Sequence, residues 1–402
     1  MALAKAEGGP CVYDRERMRL AWFRPHPGPD SADDLALVIE GLRATHAVHL
    51  VDARAAHDFV WQAAQGMFDL CVYELDDTLA HQYIWPYVLH YPGVLALRTS
   101  RLHESRAMSL THQHRDADRE AEMAFADGQA RNDTPWLPVR GGWSTWRIPV
   151  LASRVTAVAD DALAAAVSEA CPDARVVVTP TGVPDPLETA RGESSRGGAV
   201  RVLVCDGAPA RMVERAAARA REAGAGVELA HGGAGEVSGL LAADVIVATR
   251  WPTLGRPLVA ALLGAAAGKV VIVAETASTA RWPVLDPQTW QPRSVLARPG
   301  GADTPIAISI DPRDEEHSLM LALVRLSGDA ELRASLGRAA REWWQRHATV
   351  ANAVTEWHTL LEQAARLQPL ARPAGWPPHL DAAGDGTMRA ILDQFGIDHG
   401  RV

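Results

Sequence analysis

From Arg19 onward the chain alternates short apolar runs with amphipathic stretches, a pattern that predicts parallel strands joined by crossover helices. RLAWF is read as a strand, DDLALVIEGLRATH as a helix, AVHLVD as a strand, AHDFVWQAAQGM as a helix and LCVYEL as a strand. A helix from about Ala80 to His90 and the strand GVLALR follow. Residues Leu102 to Arg147 combine a charged helix, DADREAEMAFADG, with a Trp-, Pro- and Gly-rich loop, NDTPWLPVRGGWSTW. Inserts of this kind often cover a binding cleft. The strand RVTAVA, a helix after Asp160 and the strand ARVVVTP complete a first wound sheet.

The stretch TGVPDPLETARGESSRGG lacks apolar periodicity and reads as an interdomain linker. A second wound sheet then runs through VRVLVCDG, GVELAHGG, DVIVATR, KVVIVAE and IAISID, with helices between them and two long helical segments closing the half. QPLARPAGWPPHLD is a proline-rich tail and TMRAILDQFG a last short helix. The pattern therefore predicts a loose leader over residues 1–18, a Rossmann-like domain over 19–184, a linker over 185–198, a second Rossmann-like domain over 199–366 and a tail over 367–402. The fold class is α/β, with two doubly wound parallel sheets facing a cleft.

Length agrees with this division, because 402 residues exceed what one hydrophobic core usually supports. With 48% apolar and 22% charged residues the composition is that of a globular protein. A net charge of −9 argues against a nucleic-acid partner, which would need a basic face. Cys11, Cys71, Cys171 and Cys205 are far apart and form no zinc or disulfide pattern, so a reducing cytoplasm is the expected compartment. The N-terminus lacks the apolar core of a signal peptide, and no run reaches membrane-spanning length.

The chemistry concentrates around PTLGRPLVAALLGAAAGKVVIV, residues 252–273. A helix start after a parallel strand offers backbone N–H groups to a phosphate. Pro252 and Gly255 allow a tight turn, and Arg256, Pro257, Leu258 and Val259 fall in the expected first turn. The plainer alternative is that these residues pack a buried helix. Gly232 and Gly233 either let a ligand approach the backbone or form a turn. His81 either faces the cleft or caps and packs, and Glu275 stands either at a ligand rim or at a solvated strand end. The 13 tryptophans, Trp143 among them, offer stacking surfaces or core packing.

Two similar wound halves followed by returning helices resemble the GT-B glycosyltransferases, and within that class glycosyltransferase family four, over about Arg19 to Arg366. Three segments carry the resemblance: LAWFRPHPGPDSADDLALVIEGL, CVYELDDTLAHQYIWPYVLHYPGVLALRTSRLHES, and PTLGRPLVAALLGAAAGKVVIV preceded by LLAADVIVATRW. The resemblance implies a retaining, metal-independent transfer of a hexose-like sugar from a nucleotide-sugar donor to a glycan, lipid or small-molecule acceptor, with no further cofactor. It places Pro25, Ser31, Asp76 and Asp77 on the acceptor side, to which the Trp-rich insert adds Trp143 as a stacking surface for sugar rings. It gives Gly207, Arg211, Gly232, Gly233, Arg250, Thr253, Gly255, Arg256, Leu258 and Val259 to the donor, and His81, Arg98 and Glu275 to catalysis, with no metal ligands.

The chain departs from the family pattern at several of these positions. Arg256 stands where relatives place a Glu that contacts sugar hydroxyls, and Leu263 where a second acidic residue holds the ribose. A guanidinium in place of a carboxylate reverses both charge and hydrogen-bond role. Arg98-Thr99 replaces His-Asp, and Asp76-Asp77 replaces Gly-Asn. These departures support an alternative, a non-catalytic glycosyltransferase-like binding or partner subunit. A nucleotide-sugar epimerase on the same fold is a third possibility, disfavoured because the closing segments resemble transferases more closely.

Overall fold

The computed structural model describes residues 17–26, 35–127, 146–189, 198–205, 208–233, 236–249, 258–293 and 304–381. Most of the leader and of the expected linker, the Trp-rich loop up to Thr145 and the segment TMRAILDQFG lie outside these residues.

The first sheet contains β1 (Arg19–Phe23), β2 (Ala47–Val51), β3 (Leu70–Leu75), β4 (Val94–Leu97), β5 (Val155–Val158) and β6 (Val176–Val178), in the order β2-β1-β3-β4-β5-β6 and parallel throughout. Successive side chains of a strand point to opposite faces. Leu20 and Trp22 accordingly enter one core with Val72, Val94 and Ala157, while Ala21 and Phe23 enter another with Tyr73, Leu95 and Val158. A sheet covered on both faces explains why its central strands read as continuous apolar runs. The edge strands β2 and β6 expose Leu50, Val177 and Val178 instead.

The second sheet contains β7 (Val200–Cys205), β8 (Val227–Gly232), β9 (Val245–Ala248), β10 (Val270–Ala274), β11 (Val284–Leu285), β12 (Pro292–Arg293) and β13 (Ala307–Ile310), in the order β12-β11-β13-β10-β9-β7-β8. All pairs are parallel except β11 with β12. These two strands, of two residues each, are too short for a periodicity to show and are not expected from the sequence. Again the faces alternate, Val271 and Val273 packing with helices Val259–Ala266 and Ala330–His347, and Val270 and Ile272 with helices Ala210–Glu222 and Glu315–Gly328. Helix Val259–Ala266 lies close on the sheet because Gly264 carries no Cβ, which would fall 3.0 Å from Ile246.

The helix Val350–Arg366 follows the second sheet in the chain but packs on the first. Thr349 caps it by accepting from the Asn352 N–H at 3.1 Å. Its Trp357, Leu360, Leu361 and Ala364 share a core with Leu20, Trp22 and Val38, and the rings of Trp22 and Trp357 stand 5.3 Å apart. The described part of the expected tail, residues 367–381, packs on the opposite face of that sheet, where Trp376 and Leu380 are buried. Trp376 meets Phe125 edge to face, and His379 Nε2 lies 2.8 Å from the buried Glu122 carboxylate, which also pairs with Arg106. A π-helical turn, His103–Met108, and the short helix Ser109–His112 occupy part of the insert where only one helix was expected. Among the described residues no helix is long and apolar enough to cross a membrane.

Candidate functional site

In an open parallel sheet the loops after the strands' carboxyl ends form the ligand-binding edge. On the first sheet, Arg24 follows β1, and its Nε lies 3.5 Å from Glu74 Oε2 on β3, both side chains being largely buried. Pro25, next in the chain, is half-buried. Asp76 and Asp77 follow β3, and Asp76 Oδ1 accepts from the Asp77 N–H at 2.7 Å. Asp77 Oδ1 accepts from the N–H groups of Glu104 at 2.6 Å and Ser105 at 3.4 Å, so this carboxylate caps the π-helical turn. His81 is buried in the 3₁₀ turn Leu79–Ile84, with Nδ1 2.9 Å from Thr78 Oγ1. Arg98 continues the β3–β4 ladder, its N–H donating to Leu75 O at 2.9 Å. Adjacent strand ends thus bring Asp76, Asp77, His81 and Arg98 to one rim.

On the second sheet, Arg211 is exposed in the first turn of Ala210–Glu222, which follows β7. Gly232 ends the neighbouring β8. A Cβ on Gly232 would fall 2.9 Å from Glu236 Oε2, so the space beside this glycine holds a carboxylate. Gly233 O accepts from the Glu236 N–H at 3.1 Å. Leu258 and Val259 are half-buried at the start of the helix after β9, which begins at Val259 and has no side-chain cap. Arg341 holds the helix's other end. Its guanidinium donates to Ala266 O and pairs with Asp185 at 2.6 Å, placing a cation where the helix dipole favours one. That hydrogen bond from Arg341 also draws the Asp185 carboxyl below the usual carboxylate range.

Glu275 follows β10. Its N–H donates to Ile310 O at 2.8 Å, and Oε1 accepts from Arg293 Nη2 at 2.8 Å. The strand order separates the expected donor residue Gly232 from the expected catalytic residue Glu275: β8, with Gly232, is the edge strand, three positions from β10, with Glu275. At about 4.8 Å per strand this is roughly 14 Å.

The two rims meet at a pair of contacts absent from the sequence reading. Ser278 Oγ donates to Asp160 Oδ2 at 2.9 Å, and Arg281 Nη1 lies 3.0 Å from Asp161 Oδ1. Asp160 Oδ1 simultaneously accepts from the Leu163 N–H at 2.7 Å, capping the helix Asp161–Ala170. The cap was legible as an acidic residue before an apolar helical run; its second partner was not. Arg293, the partner of Glu275, was missed for the same reason. Beside these contacts a cavity of about 930 Å³ opens between the halves. Ser31, Trp143, Gly207, Arg250, Thr253, Gly255 and Arg256 lie outside the described residues.

No protein-family model matches this chain, and no curated protein matches it in sequence. Solved structures match over most of its length. The catalytic domain of starch synthase IV from Arabidopsis thaliana, bound to ADP and acarbose, superposes with a TM-score of 0.55 at 9% identity, covering 87% of this chain and 99% of that one. WaaG, a glycosyltransferase involved in lipopolysaccharide biosynthesis, gives 0.50 at 13%, covering 86% and 99%. A trehalose-6-phosphate protein from E. coli, bound with UDP-2-fluoro glucose, gives 0.50 at 11%, covering 87% and 100%. Together with the two parallel sheets, these likenesses define a GT-B-like fold.

Proposed function

We propose that the protein is a nucleotide-sugar-dependent glycosyltransferase, moving a hexose-like unit to a glycan, lipid or small-molecule acceptor in the manner of the retaining, metal-independent family four. The observation that carries the reading is the meeting of both sheets' carboxyl-terminal rims at Asp160 and Ser278, over a cavity that the start of helix Val259–Ala266 also lines. In this reading residues 19–184 form the acceptor half and 199–366 the donor half, joined by 185–198, with Val350–Arg366 returning to the first. The N–H groups ahead of Leu262, together with Arg211, Arg250 and Arg256, neutralise the donor diphosphate. Glu275 orients sugar hydroxyls, and Arg98 and His81 face the transferred sugar from the opposite rim. Catalysis then rests on positioning and on stabilising the departing phosphate, which itself accepts the acceptor's proton.

A second reading, a non-catalytic binding subunit, draws support from Glu236, whose carboxylate occupies the space beside Gly232. Thermal stabilisation by uridine, guanosine, adenosine and thymidine diphosphates and their sugars separates the two. A nucleotide-selective rise in melting temperature together with slow donor hydrolysis supports the transferase. No rise with any nucleotide overturns it in favour of the second reading. Ligand at a hundredfold excess over Kd stabilises by about 2.7 kcal/mol, an effect readily seen.

A further inference from the structure

The cavity between the halves, at about 930 Å³, is large enough to enclose a sizeable ligand. Asp160 and Thr181 line it from the first half and Leu258 and Trp282 from the second, with Trp343 contributed by helix Ala330–His347 and Glu356 by helix Val350–Arg366. Trp282 and Trp343 form a tilted pair with ring centroids 5.2 Å apart, and His347 continues the row 5.3 Å from Trp343. Both indoles are half-buried and border the cavity, so they offer flat apolar surface to whatever enters.

Around the rings the walls are polar and weighted to the acidic side. Asp160, Asp161, Glu342 and Glu356 outnumber Arg281 and Arg346. Arg281 and Asp161 offset each other at 3.0 Å, which leaves Asp160, Glu342 and Glu356 against Arg346. Carboxylates repel a diphosphate, so the wall formed by Glu342 and Glu356 is unsuited to the charged part of a nucleotide, which the transferase reading seats at the helix start by Leu258. Carboxylates are acceptors only, and a ligand that meets them must bring donors. A sugar ring does so with its hydroxyls while laying its C–H face on an indole.

We infer that this cavity seats a short neutral oligosaccharide, with its rings on Trp282 and Trp343 and its hydroxyls donating to Glu342 and Glu356. The inference rests on the transferase reading in taking that oligosaccharide as the acceptor. It narrows the acceptor from glycan, lipid or small molecule to a neutral glycan. The acceptor then lies against helices Ala330–His347 and Val350–Arg366, which carry Glu342 and Glu356.

The test is titration of the full-length protein with maltotetraose, cellotetraose and chitotetraose, followed by calorimetry and tryptophan emission, with UDP, GDP and ADP titrated alongside. The expected result is saturable binding of at least one tetrasaccharide, weakened about tenfold by Trp343→Ala and by Glu342→Gln, with nucleotide binding unchanged. Glu342 is exposed on its helix, so its amide variant keeps the fold if the tryptophan variant does not. Absence of saturable binding by all three probes, or binding that survives both substitutions, overturns the inference. Nucleotide binding with no tetrasaccharide bound sinks this inference and leaves the transferase reading standing. Tetrasaccharide binding that both variants weaken, with no nucleotide bound, upholds the glycan seat and sinks the transferase reading.

Discussion

Ser278 donates a hydrogen bond to Asp160 at 2.9 Å across the two halves, while the other oxygen of the same carboxylate caps the helix Asp161–Ala170. One side chain therefore serves local and long-range structure together. Ser278→Ala is expected to cost about 1 kcal/mol, the worth of one hydrogen bond. Asp160→Ala should cost about 2 kcal/mol, because the cap is lost as well. Urea denaturation of both single variants and the double variant checks this: costs that simply add would show the two residues to be uncoupled.

Glu122 is 2% exposed and receives Arg106 and His379 together. Burial alone would raise its carboxyl, but the hydrogen bonds from His379 and Arg106 outweigh it and the group titrates below its ordinary value. A carboxylate depressed in the folded state adds stability that is present above the unfolded value, 4.5, and is lost as pH falls through the folded one. Urea midpoints are expected to drop as pH falls below 4.5, toward about pH 3. They should drop less in Glu122→Gln. At neutral pH Glu122→Ala should cost about 3–5 kcal/mol, since Arg106 stays buried without its partner.

His46, 1% exposed, stacks on His358 of the returning helix with ring nitrogens 2.9 Å apart. Burial first, and His358 second, lower its basicity below the ordinary 6.5, with Glu362 opposing and Arg17 assisting. The unfolded chain then binds the proton more readily, so this contribution is present above 6.5 and fades as pH falls below it. Melting temperature should decline from pH 7.5 toward pH 5.5, across the usual histidine range, and His46→Gln should flatten that decline. An unchanged slope in the variant would assign the acid sensitivity elsewhere.

Gly337 lies where helix Ala330–His347 crosses the turn at Gly268, and a methyl group there would fall on the Gly268 carbonyl. Gly337→Ala is expected to destabilise by about 1–3 kcal/mol through this overlap. Gly328, at the end of its helix, has open space around it, so Gly328→Ala should be neutral or stabilise by up to about 1 kcal/mol. Thermal melts of the two variants read the contrast directly.

Arg211 is exposed in the first turn of its helix. If it meets the donor phosphate as proposed, Arg211→Ala should raise the KM for the nucleotide sugar about tenfold, the loss of one charge-assisted contact, with stability unchanged. Steady-state kinetics against the donor settle the point; an unaltered KM removes Arg211 from the donor site.

Much of the fold was legible because both sheets are buried on two faces. Runs such as VVIVA at β10 and VLAL at β4 read as strands whatever their neighbours, and the amphipathic stretches between them as helices. Asp160 before DALAAAV, Asp329 before AELRASL and Thr349 before VANAV are caps that the sequence states locally, since the bonded N–H lies three residues on in each case. The strand ends that carry Asp76, Arg98 and Glu275 were readable for the same reason, whereas β8, which ends at Gly232, is a largely exposed edge strand.

The tertiary structure alone decided which partners those ends receive. Asp77 accepts from the Glu104 N–H 27 residues later, and Asp160 meets Ser278 118 residues away. Glu275 is turned toward Arg293, and the helix carrying Trp357 returns to the first sheet. Periodicity reports that a face is buried, because burial repeats along one element. It is silent on what covers that face, because the covering residues come from any other part of the chain.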